Sequence, residues 1–257
     1  MCSAAARSPV IESISPFGIV YAAIVLVLSY GLRGTTGFGS AAAMPLMALA
    51  IPMKILVPTW TLMGIASSLT VLGKDRRHVA VRDVVRVLHA CAVGVGIGLY
   101  LFTSLDPTHL RRGLGALVVA YGAYTLWGAL RPQSHVTLPP RVAAPLGGLL
   151  AGAVGTMFGT MASLFFVMYL DATRMAKTQF RATMSALVMT LSVIRGAGYW
   201  AVGEFTREVL LLFAVGLPTM LLGIYLGDRV HAWISEAAFR RLVSLVLIVS
   251  GIPLLLK

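Results

Sequence analysis

The residues able to do chemistry fall into two short clusters and two nearby cations. The first cluster is Thr35, Thr36, Gly37, Gly39 and Ser40, with Arg33 just ahead of it; the second is Gly155, Thr156, Gly159, Thr160 and Ser163, with Arg195 further along. Neither offers a nucleophile beside a base, paired carboxylates or a set of metal ligands, so nothing points to an enzyme. What they offer is donors. Hydroxyls, and backbone N–H groups laid bare where glycines interrupt a helix, hold an anion when they converge, the more so beside a guanidinium. Glycine, serine and threonine also let helices pack closely in a membrane, and at any single position that role competes with ligand contact. Arg33, beside Gly34 at the end of an apolar stretch, either pairs with an anion or extends to the interface. Arg195, in SVIRGAGYW, carries the same ambiguity.

The elements that position these residues are membrane helices. Of the 257 residues 58% are hydrophobic and 12% charged, with a mean hydropathy of +0.87, where a soluble domain carries about 25% charged residues. The apolar runs are continuous rather than alternating, which excludes a transmembrane β-barrel. They follow one another without a polar domain between them, so the chain reads as one transmembrane domain over 1–257. The net charge of +12 comes from clusters between spans, which serve as orientation signals facing anionic lipid rather than as a nucleic-acid surface. Cys2 and Cys91 imply neither a disulfide framework nor a metal site, and the first residues show no cleaved signal peptide.

Residues 34–45, GTTGFGSAAAMP, break the first apolar run, which from Phe17 to Ile51 is too long for one straight helix across a core of about 30 Å. Spans then follow at about 56–72, 88–105 and 114–130, separated by a basic loop over 74–86. A polar linker occupies 131–142. A Gly-rich segment over 145–170 comes next, then spans at about 182–202, 209–226 and 242–256.

The halves 17–131 and 143–256 resemble each other. Phe38-Gly39 returns as Phe158-Gly159, Gly98-Leu99-Tyr100-Leu101 as Gly223-Ile224-Tyr225-Leu226, and Arg111-Arg112 as Arg240-Arg241, in the same order. Two repeats of four hydrophobic segments, each opening on a broken one, predict an all-α polytopic fold of eight to ten helices. If each broken segment enters and returns as a hairpin, the basic residues split 13 to 7 between the faces, with Arg76, Arg82, Arg86 and Arg141 on the rich face and Lys54, Arg111, Arg112 and Arg195 on the other. A single kinked crossing gives no useful asymmetry. The positive-inside rule therefore favours hairpins and inverted repeats.

In these residues the sequence resembles the TauE/SafE sulfite exporter family, also called the toluene-sulfonate uptake permease superfamily. The first copy of its G-x-G-type stretch is Gly37-Phe38-Gly39 with Pro45 and Leu46, the second Gly155-Thr156-Met157-Phe158-Gly159; Ser40-Ala41-Ala42 and Thr160-Met161-Ala162 stand where the family commonly has further glycines. The resemblance implies secondary transport of a small sulfur-containing anion, such as sulfite, a sulfonate or sulfoacetate, across the bacterial cytoplasmic membrane. An anion channel and a structural subunit of a membrane complex are the alternatives. All nine acidic residues lie in or beside loops, so no buried carboxylate is expected to relay protons. No cofactor is expected beyond a coupling proton or sodium ion, and no partner beyond substrate, lipid and a second copy of the chain.

Overall fold

The computed structural model describes residues 16–36, 40–130, 139–173, 175–230 and 236–256. Among them are ten α-helices: α1 (Pro16–Thr36), α2 (Ser40–Ala48), α3 (Met53–Asp75), α4 (Val81–Ser104), α5 (Pro107–Leu130), α6 (Pro140–Phe158), α7 (Ala162–Ala172), α8 (Lys177–Ala201), α9 (Arg207–Val230) and α10 (Glu236–Leu256). The segment expected over 145–170 is two helices, and most of the others begin several residues earlier than hydropathy suggests. Helices continue through the headgroup layer, where their side chains are polar. Thus Arg82 and Arg86, expected in a loop, lie in the first turns of α4, and the link before it is only a 3-10 turn, Arg76–His78, with two further residues. Val81–Ser104, Arg141–Phe158 and Arg207–Leu226 are long and apolar enough to cross a membrane, and Tyr21–Gly31 and Ser244–Leu256 are shorter apolar stretches.

Both broken segments fold back as hairpins. Gly147 of α6 lies against the Phe165 carbonyl of α7, while Gly155 lies against Ala162, so the two helices run antiparallel from a tip at residues 159–161. In the first hairpin the Tyr21 hydroxyl donates to the Leu46 carbonyl at 3.2 Å. A straight helix would hold those residues about 37 Å apart. At 9 and 11 residues, α2 and α7 rise only about 14 and 17 Å, half of a bilayer core.

Glycines set how the helices pair. A Cβ on Gly148 of α6 would stand 2.7 Å from the Val87 carbonyl oxygen of α4, and one on Gly98 of α4 would stand 2.5 Å from that of Ala153. At Gly94 and Gly152 the fit is tighter still. Backbones this close exchange dispersion contacts that lipid cannot match. The register advances together along α4 and α6, so they are parallel. α9 lies on α1 in the same way, with Gly216 at Leu26 and Gly223 at Val27 and Tyr30. α5 packs on α10 through Gly115, Gly122 and Gly251, where the Thr125 and Ser244 hydroxyls stand 2.7 Å apart. α3 packs on α8 at the centre.

Hydrogen bonds between helices define two ends. At one, the Ala80 amide donates to Thr183 Oγ1 at 3.0 Å and the Tyr169 hydroxyl to Asp83 Oδ1 at 2.5 Å, with Arg86 Nη1 3.7 Å from that carboxylate. This end carries Arg76, Arg77, Arg82, Arg86, Arg141 and Arg181. At the other, Lys54 Nζ donates to the Phe102 carbonyl at 2.5 Å, and Arg111, Arg112 and Arg207 lie nearby. The α6–α7 hairpin enters from the first end and the α1–α2 hairpin, parallel to α9, from the second. Arg195 belongs to neither end: counted with the poorer face above, it is buried inside α8.

Candidate functional site

The α6–α7 hairpin tip sits where the two hairpins meet. Gly159 ends α6 in the left-handed region, φ 73°, its amide donating to the Gly155 carbonyl at 2.9 Å. Its Cα faces Met44 of α2 and Val57 of α3 closely enough that a Cβ would overlap the Met44 methyl. Met161 also has positive φ, 65°, a conformation that costs an L-residue about 1–2 kcal/mol. Two such residues around Thr160 make the sharp reversal from which α7 starts. Gly159→Ala is expected to lower stability by about 1–2 kcal/mol, read as a lower melting temperature of the purified protein.

A cavity of about 50 Å³ opens at this tip, room for a few waters or one small oxyanion. Its walls include Thr160 and Ser163 from the tip and the start of α7, Trp60 and Gly64 from α3, and Ser192 and Arg195 from α8. Gly64 is what makes the room: a Cβ there would stand 2.8 Å from Ser192 Oγ and 3.5 Å from Arg195 Nη2. Ser192 Oγ is buried and makes no hydrogen bond among the described residues. Arg195, 4% exposed, donates from Nη1 to the Gly155 carbonyl at 2.6 Å. One turn later on the same face of α8, the Tyr199 hydroxyl donates to the Thr156 carbonyl.

These two bonds decide the electrostatics. A helical hairpin brings the negative end of one helix dipole and the positive end of the next to the same tip. Arg195 and Tyr199 cover two of the last four carbonyls of α6, those of Gly155 and Thr156. The amide end of α7, with Ser163 in its first turn, lines the cavity beside a full positive charge. The acidic residues that the structure describes sit in links or terminal helical turns, at Asp75, Asp83, Asp106, Asp171, Glu204, Glu208, Asp228 and Glu236. Among the described residues no three His, Cys, Asp or Glu side chains gather as a metal would require.

The predicted residues separate into three groups. Gly159, Thr160, Ser163 and Arg195 meet at the cavity. Gly155 lies just behind it, giving its carbonyl to Arg195, and Thr156 lies on the α4 side, fully buried against Gly98, its hydroxyl without a hydrogen bond among the described residues. For the first cluster, Gly37 and Gly39 lie outside the described residues; Arg33, Thr35 and Thr36 are in the last turn of α1 and Ser40 is the first residue of α2, with their side chains outside the description. Sequence reasoning missed Trp60, Gly64 and Ser192. Ser192 and Arg195 are three apart on one helix face, a polar pair in an apolar span, which is a usable signal.

Half-length helices that fold back inside a polytopic bundle, around a buried cation and a small polar cavity, define the chain as an integral, multi-pass membrane protein built like a transporter. The chain belongs to the TauE/SafE sulfite exporter family, whose profile matches residues 21–254. It is 28% identical over 195 residues, 75% of this chain and 80% of the relative, to the probable inner membrane transporter protein TsaS of Comamonas testosteroni. No solved structure matches it. Family and relative alike are described as transporters, and the chain is a membrane transporter.

Proposed function

We propose that the chain moves a small sulfur-containing anion, such as sulfite, a sulfonate or sulfoacetate, across the bacterial inner membrane by secondary transport. One observation carries this reading: a buried guanidinium, a buried serine hydroxyl with no partner among the described residues and the amide end of α7 line one cavity of oxyanion size. An oxyanion there neutralises Arg195, accepts from Ser192 and Thr160, and sits on the positive end of a helix dipole. The flux needs no prosthetic group; a co-moving proton or sodium ion drives it, and imposed gradients of each distinguish the two.

The mechanism is alternating access by two inverted repeats, α1–α5 and α6–α10. Supporting this is the exchange of partners: α4 packs on α6 as α9 packs on α1, while α3–α8 and α5–α10 pair with their own counterparts. Hairpins entering from opposite ends fit the same two-fold relation. Glycine-locked pairs then move as blocks, α4 with its hairpin and α9 with the other, around the central α3–α8 pair where the cavity lies.

Uptake of radiolabelled sulfite and of a small sulfonate into liposomes tests the reading. Ser192→Ala and Thr160→Val are each expected to raise KM by about 10–150-fold, one lost hydrogen bond to a charged ligand at about 1.5–3 kcal/mol. Thr156→Val, on the far side of α6, is expected to leave KM unchanged. Equal uptake by all three variants and wild type removes the cavity from the transport path, and no saturable uptake of either anion removes the substrate.

A further inference from the structure

Away from the cavity, the outer edge of the α4–α6 seam forms a groove of about 480 Å³ lined by Ala90, Val93, Val142, Pro145, Leu146 and Leu149, with almost no polar surface. Its origin is the glycine contact. Gly94, Gly148 and Gly152 draw the two backbones together on one side, and the small Ala90 with the ring of Pro145 leaves a cleft on the other.

The groove begins at the arginine-rich end. Arg82, Arg86, Ala90 and Val93 make one stripe along α4, spaced i, i+4, i+8 and i+11, and Arg141 heads the facing stripe of Pro145 and Leu149 on α6. The register between Val87 and Gly148 brings Arg141 to within two residues of the level of Arg82, about 3 Å along the helix. All three arginines are exposed, and Arg86 spends one guanidinium nitrogen on Asp83 and Tyr169, at 3.7 and 3.5 Å. From Arg82 to Val93 the helix rises about 17 Å, the depth of one leaflet.

We infer that this groove is a binding site for one anionic phospholipid of the leaflet at the arginine-rich end. Its acyl chain lies between α4 and α6, and its phosphate is held by Arg82 and Arg141. An uncharged apolar groove is filled by any lipid tail. Cationic side chains heading both of its walls select the tail that carries a negative headgroup.

The test uses the full chain, purified and exposed in turn to phosphatidylglycerol, phosphatidylcholine and glycerol phosphate, with adducts counted by native mass spectrometry. Expected are a retained phosphatidylglycerol adduct, weaker phosphatidylcholine binding and none of glycerol phosphate, which lacks the tail. Arg82→Gln and Arg141→Gln are each expected to weaken phosphatidylglycerol about fivefold. Ala90→Leu, which fills the groove without changing charge, is expected to abolish retention, with the melting temperature in detergent confirming the fold. Equal retention of both lipids, or full retention by the charge variants, overturns the inference. So does a cysteine crosslink between two copies through Val93→Cys, which would show the groove covered by a second chain.

Discussion

Replacing Arg195 with methionine is expected to lower sulfite uptake, as kcat/KM, by about 100-fold or more while leaving the melting temperature unchanged or higher. The two effects have different causes. Truncating one side of a buried charge pair costs about 2–5 kcal/mol of binding, and about 3 kcal/mol is a factor above 100. Folding gains from the same change, because a guanidinium 4% exposed inside a membrane bundle has been stripped of water and an apolar side chain of similar size carries no such penalty. The Gly155 carbonyl keeps its bond from the Gly159 amide, so it is not left bare. Arg195→Lys keeps the charge but loses the planar fork, and falls between. Uptake assays paired with melting curves check the split. Wild-type uptake by the methionine variant would sink the anion site, and a collapse in stability would make Arg195 a structural residue.

Gly148→Leu is expected to be among the most damaging apolar changes in the protein. Its Cβ alone would stand 2.7 Å from the Val87 carbonyl oxygen, and a backbone atom cannot swing away as a side chain can. Overpacking costs about 1–3 kcal/mol where neighbours yield, and here α4 and α6 must separate, with loss of the contacts at Gly94, Gly98 and Gly152. The expected readout is aggregated protein on size-exclusion chromatography in detergent. Gly96 is the control, on α4 but outside the seam. A Cβ there meets nothing within 4 Å, and Gly96→Ala is expected to raise stability by about 0.5–1 kcal/mol through helix propensity. Equal behaviour of the two variants would show that the seam is not a close backbone contact.

Which parts of this were legible in the sequence depends on the physical signal each leaves. Hydropathy reports residues that lipid must accept, so it finds spans and misses the helical turns in the headgroup layer, such as those carrying Arg82 and Arg86. Glycine density marks a break, and the charge count favoured a hairpin over a kink. Neither says where the tip lies: the segment over 145–170 turns at residues 159–161, and Met161, in the left-handed region, has no sequence mark at all. Arg195 stands out because a cation in an apolar span is costly. Thr156 belongs to the same motif as Thr160, yet it lies inside α6 and faces Gly98 of α4, whereas Thr160 lies past the end of that helix, beyond the left-handed turn at Gly159. Gly64 and Trp60 are distant in sequence and became neighbours of Arg195 only through the pairing of α3 with α8.

The pairing of each hairpin with a helix from the other half has a consequence for how the chain is made. Val27 on α1 must wait for Gly223 on α9, its backbone partner 196 residues later, which at about 5–20 residues per second is roughly 10–40 s of synthesis. For that interval the first hairpin lies in the membrane with its glycine-receiving face turned to lipid or to the insertion machinery. Neither half can be finished before the other exists. The first half made alone lacks α9, and the second made alone has no α4 for its hairpin. The two halves made as separate chains in one cell, divided within the polar linker over 131–142, hold every pairing surface between them and can assemble where either alone is degraded.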